Sequence, residues 1–203
     1  MPRSLLAAWP LVASRAGPRL LGAALLALAS LFAWSLLGIG AWAAIIAWRR
    51  HGARSALGLA LLCGVALLAL HGALAAATGW DPLGTLRATE QVYRFGIAGE
   101  LPYWYWLAGS PAAFLLMAGL PVAWYALRAL AAGEETALAV LAVIAVAAVA
   151  GFTKAEVERI WLFLAPLTCL AAATVAPPRH LRAALALLGA QALAWELAWN
   201  TVW

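Results

Sequence analysis

The sequence predicts an all-α protein: a polytopic transmembrane bundle of about six spans, with one interfacial amphipathic helix. Two observations carry this expectation. Of 203 residues, 67% are hydrophobic and 10% are charged, against about 45–50% and about 25% in soluble domains. The apolar residues also fall in long runs bounded by charges. These approach the roughly 20 residues a helix needs to cross a bilayer, and they lack the short alternating stretches of a membrane barrel. Such a composition excludes a water-soluble enzyme, whose surface demands more charge. It excludes a disordered chain as well, because a chain this apolar cannot stay solvated.

Each element follows from apolar length and flanking charge. Residues 1–19 form a short interfacial or truncated segment: Ser4–Ser14 is too short to cross, Pro10 interrupts it, and Arg15, Gly17 and Pro18 break it again. The first span is expected over 20–48, between Arg19 and Arg49-Arg50, and the second over 56–78. The longest polar stretch, 79–102, comes next. In it Asp81 as N-cap with Pro82 at the first helical position starts an interfacial helix over about 82–97. Spans follow at 103–130, 136–152, 157–175 and 181–203, with Pro177-Pro178 dividing the last two. Residues 20–203 thus make one transmembrane domain, without an internal repeat. Cys63 and Cys169 lie inside apolar runs and are expected to be core residues, not a disulfide or a metal pair.

Charge then orients the bundle. The net charge is +5, but the basic residues stand singly or in pairs between apolar runs. Topology and lipid headgroups account for them, and nucleic acid is not an expected partner. The connections at 49–55, 128–135 and 177–182 share one side and carry six arginines against Glu134 and Glu135. By the positive-inside rule that side is cytoplasmic. Arg3, Arg15 and Arg19 would then lie on the opposite side, against the rule. One lysine against twelve arginines, in an Ala/Leu/Gly-rich chain, suggests a GC-rich bacterial genome and hence a multi-pass inner-membrane protein.

Two polar segments fall on the other predicted side. On the 82–97 helix, Arg87, Glu90, Gln91 and Arg94 share an arc, with Leu86, Tyr93 and Ile97 beside it. This suits a helix lying on headgroups, with internal Arg–Glu pairs; the alternative is a lid or phosphate-contacting helix over a cavity. The run Pro102–Trp106 reads as an interfacial aromatic belt or, less specifically, as a stacking platform for a sugar or isoprenoid. In the second segment, Thr153 and Glu156 have capping-box spacing, with Phe152 and Val157 as its staple. Lys154, Glu156, Glu158 and Arg159 put four charges in six residues, more than a cap needs. Charges entering a span usually face a bundle interior or wet cavity, since lipid exposure costs about 2.5–3.5 kcal/mol each. Capping with Glu156–Arg159 pairing and a polar site near the outer surface both fit. Elsewhere, His71, Gln191, Glu196 and Asn200 are isolated polar residues in spans; Glu196 and Asn200, at i,i+4, suit a bond to another helix. No metal-ligand spacing, Gly-rich phosphate loop or serine elbow is present, so no cofactor is evident.

The stretch Gly151-Phe152-Thr153-Lys154-Ala155-Glu156-Val157-Glu158-Arg159-Ile160-Trp161-Leu162-Phe163-Leu164-Ala165-Pro166 resembles the G-E-x-x-R-[IVL]-W-L-F-x-x-P motif of actinobacterial multi-pass membrane proteins, with Ala155 in place of the motif's glycine. Those proteins are similar to C-superfamily glycosyltransferases, which use polyprenyl-phosphate sugars. Asp81-Pro82-Leu83, Leu86–Thr89, Tyr93, Gly96-Ile97 and Pro102–Trp104 resemble them too, as does the ending Gln191–Leu193, Glu196-Leu197 and Thr201–Trp203. The marks cover about residues 79–203 in matching order. The resemblance implies that Glu156 and Arg159 line a lipid-phosphate or sugar pocket, with Lys154, Asp81, Arg87 and Arg94 as further substrate-binding candidates. It also implies a lipid-linked sugar as partner beside the bilayer, and a divalent metal. The chain departs from that family in one respect: the acidic catalytic pair of the first extracytoplasmic loop has no counterpart, since no acid precedes Asp81. The expectation is therefore the C-terminal part of a longer transferase, inactive alone. The rival expectation is a non-enzymatic membrane protein, such as a small transporter or an assembly partner.

Overall fold

The computed structural model describes Leu11, residues 16–151 and residues 160–199. Every regular element among them is helical. The helices are α1 (Ala16–Ser30), α2 (Leu37–His51), α3 (Ala53–Thr78), α4 (Pro82–Phe95), α5 (Ile97–Glu100), α6 (Tyr103–Ala118), α7 (Leu120–Ala131), α8 (Glu135–Ala150), α9 (Ala165–Ala173) and α10 (Leu181–Trp199). Short 3-10 turns at Trp34–Leu36, Leu162–Leu164 and Pro178–His180 lead into α2, α9 and α10.

The single span expected over 20–48 is two helices. After Ser30 the chain leaves the helix, passes through extended Ala33 (φ −161°, ψ 130°) and reverses into α2. The cause is tertiary. Ser30 lies 2.8 Å from His71 of α3, and Trp34 stacks on the same imidazole, contacts that a continuous helix would forfeit. At the other end of α1, Arg19 donates to Ser55 Oγ at 3.0 Å. α1 therefore runs parallel to α3, with α2 antiparallel to both. Arg19 consequently shares an end with Arg49, Arg50 and Arg54, and its conflict with the positive-inside rule disappears. Arg3 and Arg15 lie outside the described residues. Residues 16–19 belong to α1 and not to a separate N-terminal segment, Pro18 being tolerated in the first turn. Leu11 is buried and packs on Gly22.

α2 joins α3 through Gly52 alone and buries Trp42, Ala43, Ile46 and Ala47, one stripe at helical spacing. Close approach on its other faces needs glycine. A Cβ at Gly40 would lie 2.7 Å from Leu26 of α1, and one at Gly38 would lie 2.9 Å from the Phe163 ring. Small residues serve this purpose in membrane bundles, where van der Waals packing replaces the hydrophobic effect between helices. The buried stripe meets Val140, Val143 and Ile144 of α8, with Leu59, Leu164 and Leu167 completing the core. Where α2 ends and α8 begins, Arg50 Nε donates to Glu135 Oε1 at 2.6 Å, and Nη2 reaches the same oxygen. The cation sits on a helix C-terminus and the anion on an N-terminus, so both dipoles favour the pair.

The span expected over 103–130 is also broken. α6 and α7 meet at Gly119 with a bend of 118°. Gly119 has φ +101°, and a Cβ there would run into Leu188 of α10, so only glycine fits. The bend opens two backbone groups, which Gln191 meets: its Oε1 accepts from Leu120 N at 2.9 Å and its Nε2 donates to Leu116 O at 2.7 Å. An apolar α10 thus has a structural reason to carry an amide.

The remaining expected spans are shorter than anticipated. α8 covers 135–150, not 136–152. Of 157–175, the described residues form only the 162–164 turn and the nine-residue α9, whose start carries Pro166. α9 packs on α7 and α8, and α10 packs on α7. Among the described residues, two helices are long and apolar enough to cross a membrane, α3 and Pro178–Ala198; the bent α6–α7 pair makes a third if counted as one. At 26 residues, α3 reaches about 39 Å, enough for a hydrocarbon core of about 30 Å. The difference from six comes from the reversal after Ser30, the bend at Gly119 and the proline-started α9. Cys63 is buried as expected for a core residue, but Cys169 faces outward, and both are free thiols.

Candidate functional site

α6 begins at Tyr103 and α8 ends at Ala150, and these two termini meet at the end of the bundle opposite the arginines, the end at which α3 also finishes. Tyr103 OH donates to Val149 O at 2.6 Å, and its ring lies over Gly151, where a Cβ would come within 2.9 Å of it. Ten residues on, Trp161 is buried and packs edge-on against Phe114 of α6, with centroids 5.9 Å apart. Both flanks of the 152–159 segment therefore rest on α6, and the 79–102 segment leads directly into that helix. The sequence separates Tyr103 from Gly151 by nearly fifty residues; the fold brings them into contact.

The corner at 78–85 is held by a web of local bonds. Asp81 Oδ1 accepts from Leu83 N at 3.0 Å and Gly84 N at 2.9 Å, the N-cap of α4. Thr85 Oγ1 donates to Asp81 O at 2.7 Å and accepts from Trp80 Nε1 at 3.0 Å. Trp80 in turn lies on His71, centroids 5.2 Å apart, while Trp34 stacks on His71 at 5.0 Å and 17°. His71 is thus an imidazole between two indoles. Ser30 spends its proton on Ala27 O at 2.6 Å, so its oxygen must accept from His71 Nε2. That fixes the tautomer and leaves Nδ1 as a buried acceptor without a partner. The stack joins the α1–α2 reversal, the end of α3 and the root of α4. His71 stands alone in the sequence, and its indole neighbours come from elsewhere along the chain, so no spacing rule reveals it.

α4 itself stands away from the bundle and packs chiefly on α5. Its Leu83, Val92 and Phe95 are 61%, 75% and 90% exposed, apolar surface that a headgroup–acyl boundary would cover. Trp104 and Tyr105 also point outward, and the rings of 103–106 meet edge to face in neighbouring pairs. That arrangement suits an aromatic belt.

The sequence-derived candidates divide as follows. Asp81 is engaged as a helix cap, Arg87 is exposed on α4, and Arg94 lies in the last turn of α4. Lys154, Glu156 and Arg159 lie outside the described residues, as does the capping box at Thr153 and Glu156. Asn200 does too. Among the described residues, no three of His, Cys, Asp and Glu gather as metal ligands. Asp81 Oδ1 already accepts two backbone bonds. The described residues thus do not fit the divalent metal that the family resemblance implies. Comparison with protein-family models, with curated proteins and with solved structures finds no match for this chain.

Proposed function

We propose that the chain is the membrane-embedded part of a glycosyltransferase-like protein that handles a polyprenyl-phosphate sugar, multi-pass in a bacterial inner membrane and inactive alone. The observation that carries this reading is the Tyr103–Val149 bond, which joins the helix that follows the 79–102 segment to the helix that precedes the 152–159 segment. The arginines at the opposite end give the orientation, with that end cytoplasmic and the segments outside. In this reading the short helices α1, α2, α8 and α9 cross or re-enter the bilayer around α3. Glu156 and Arg159 line a pocket beneath α4: the guanidinium holds the lipid phosphate, and the carboxylate accepts from sugar hydroxyls. Lys154, Arg87 and Arg94 add positive charge at the rim. The general base that deprotonates the acceptor comes from elsewhere, because no acid precedes Asp81.

The test is sugar transfer by membranes carrying Glu156→Gln or Arg159→Ala in the full-length context. Loss of transfer by 10²-fold or more, with unchanged protein levels in the membrane, supports the pocket. Loss of the protein itself supports a structural cap and overturns the pocket. A second reading, a small transporter, is favoured by one feature. The reversal after Ser30 and the 118° bend at Gly119 resemble the interrupted helices of transport sites. Uptake or export that survives both substitutions would favour it.

A further inference from the structure

Between α7 and α10 lies a groove of about 820 Å³, within the roughly 300–1,000 Å³ of small-ligand sites. Ala183, Ala184, Ala190 and Ala194 make one wall narrow and smooth, and Leu120 and Trp124 form the other. None of the apolar window of α10 is buried inside the protein.

The mouth of the groove differs from its walls. Tyr125 OH and His180 Nδ1 are hydrogen-bonded at 2.7 Å, which joins two stretches of chain that carry three arginines. Arg179 and Arg182 bracket His180 in the chain, and Arg128 is one turn beyond Tyr125 on the same side of α7. All three are exposed. Between Leu101 and Ala155 the sequence has two acids, Glu134 and Glu135, and Glu135 is held by Arg50. A smooth apolar slot thus ends in a strongly positive mouth at the arginine end of the bundle. Its chemical complement is an acyl chain ending in a phosphate.

We propose that the α7–α10 groove binds an anionic glycerophospholipid, one acyl chain along the alanine wall and its phosphate among Arg128, Arg179 and Arg182. The lipid would fasten α10 to the rest of the bundle, a role independent of sugar transfer and at the opposite end from the proposed pocket. At about a factor of five per arginine near the headgroup, three arginines give about a hundredfold preference for phosphatidylglycerol over phosphatidylcholine of the same chain length.

The test uses the full chain in a neutral detergent, with thermal unfolding and native mass spectrometry as readouts. Phosphatidylglycerol is expected to raise the unfolding midpoint by several degrees and to be retained at one per chain. Phosphatidylcholine and inorganic phosphate are expected to do neither. Arg179→Gln with Arg182→Gln should cut the preference to about fivefold without lowering the lipid-free midpoint. Ala190→Trp, which fills the slot from an exposed position, should abolish retention while leaving the arginines in place. Equal shifts with both lipids would overturn the proposal. So would a response to phosphate alone, a preference that survives the arginine pair, or a lipid-independent dimer that Ala190→Trp disrupts.

Discussion

At its arginine end, α3 meets its neighbours through charge: Arg19 reaches Ser55, and nearby Arg50 clamps Glu135 between α2 and α8. At its other end the contacts are rings and neutral hydrogen bonds: Trp34, His71 and Trp80 in a stack, Ser30 on His71, Tyr103 on Val149. The difference follows from what each end must do. Cations at helix C-termini are favourable in themselves and resist translocation, so the first end can be both fastener and topological signal. The second end joins a reversal, a helix end and the root of α4 through contacts that use no charge pair. Aromatic stacking and a fixed imidazole tautomer achieve that within a small, dry volume.

The largest expected effect comes from removing the imidazole. His71→Ala leaves a cavity between two indoles and strips Ser30 of its donor, costing about 2–4 kcal/mol. His71→Phe keeps the stack and loses only the hydrogen bond, about 1 kcal/mol. Thermal unfolding in detergent reads both. If the two variants unfold alike, the ring stack does not hold this end together. In the alanine variant, limited proteolysis near Gly79 should also speed up, because Trp80 loses the surface on which it rests.

The contrast between the ends also shows what the sequence could and could not reveal. Helical class, α3, and the start of α4 at Asp81-Pro82 were legible because apolar runs and capping chemistry are local. The reversal after Ser30 was not. Residues 20–48 read as one span, since nothing in Leu31-Phe32-Ala33 breaks a helix by itself; only His71, forty residues on, makes the turn favourable. Nor was the bend at Gly119, because a glycine inside an apolar run is tolerated in many helices. Its meaning depends on Leu188 and Gln191 of α10. The joining of α6 to the end of α8 rests likewise on a tyrosine that read as part of a belt. Of the three arginines that contradicted the orientation, the one described, Arg19, was misplaced by the wrong span boundary.

An intermediate effect is expected at the charged end. The Arg50 and Glu135 side chains are 19% and 26% exposed, so their pair is only partly screened. Glu135→Gln keeps the shape and one acceptor but removes the charge, costing about 1–2 kcal/mol. The loss should shrink in high salt, which weakens the exposed part of the pair. No such salt dependence is expected for His71→Phe, whose contacts are neutral. A salt-independent Glu135→Gln would erase the distinction between the two ends.

The smallest effect separates structure from chemistry at Asp81. Its carboxylate caps α4, and Asp81→Ala should cost about 1 kcal/mol of local stability. That is about a fivefold faster hydrogen exchange at Leu83 and Gly84, with the global unfolding midpoint unchanged. Asp81→Asn keeps a cap of nearly equal strength while discarding the negative charge. If Asp81 serves only to start α4, asparagine restores both exchange protection and any transfer activity that alanine reduces. If the carboxylate also meets a substrate, asparagine restores protection but not activity. The pair of variants therefore distinguishes a neutral, structural loop end from one in which the cap itself faces the ligand.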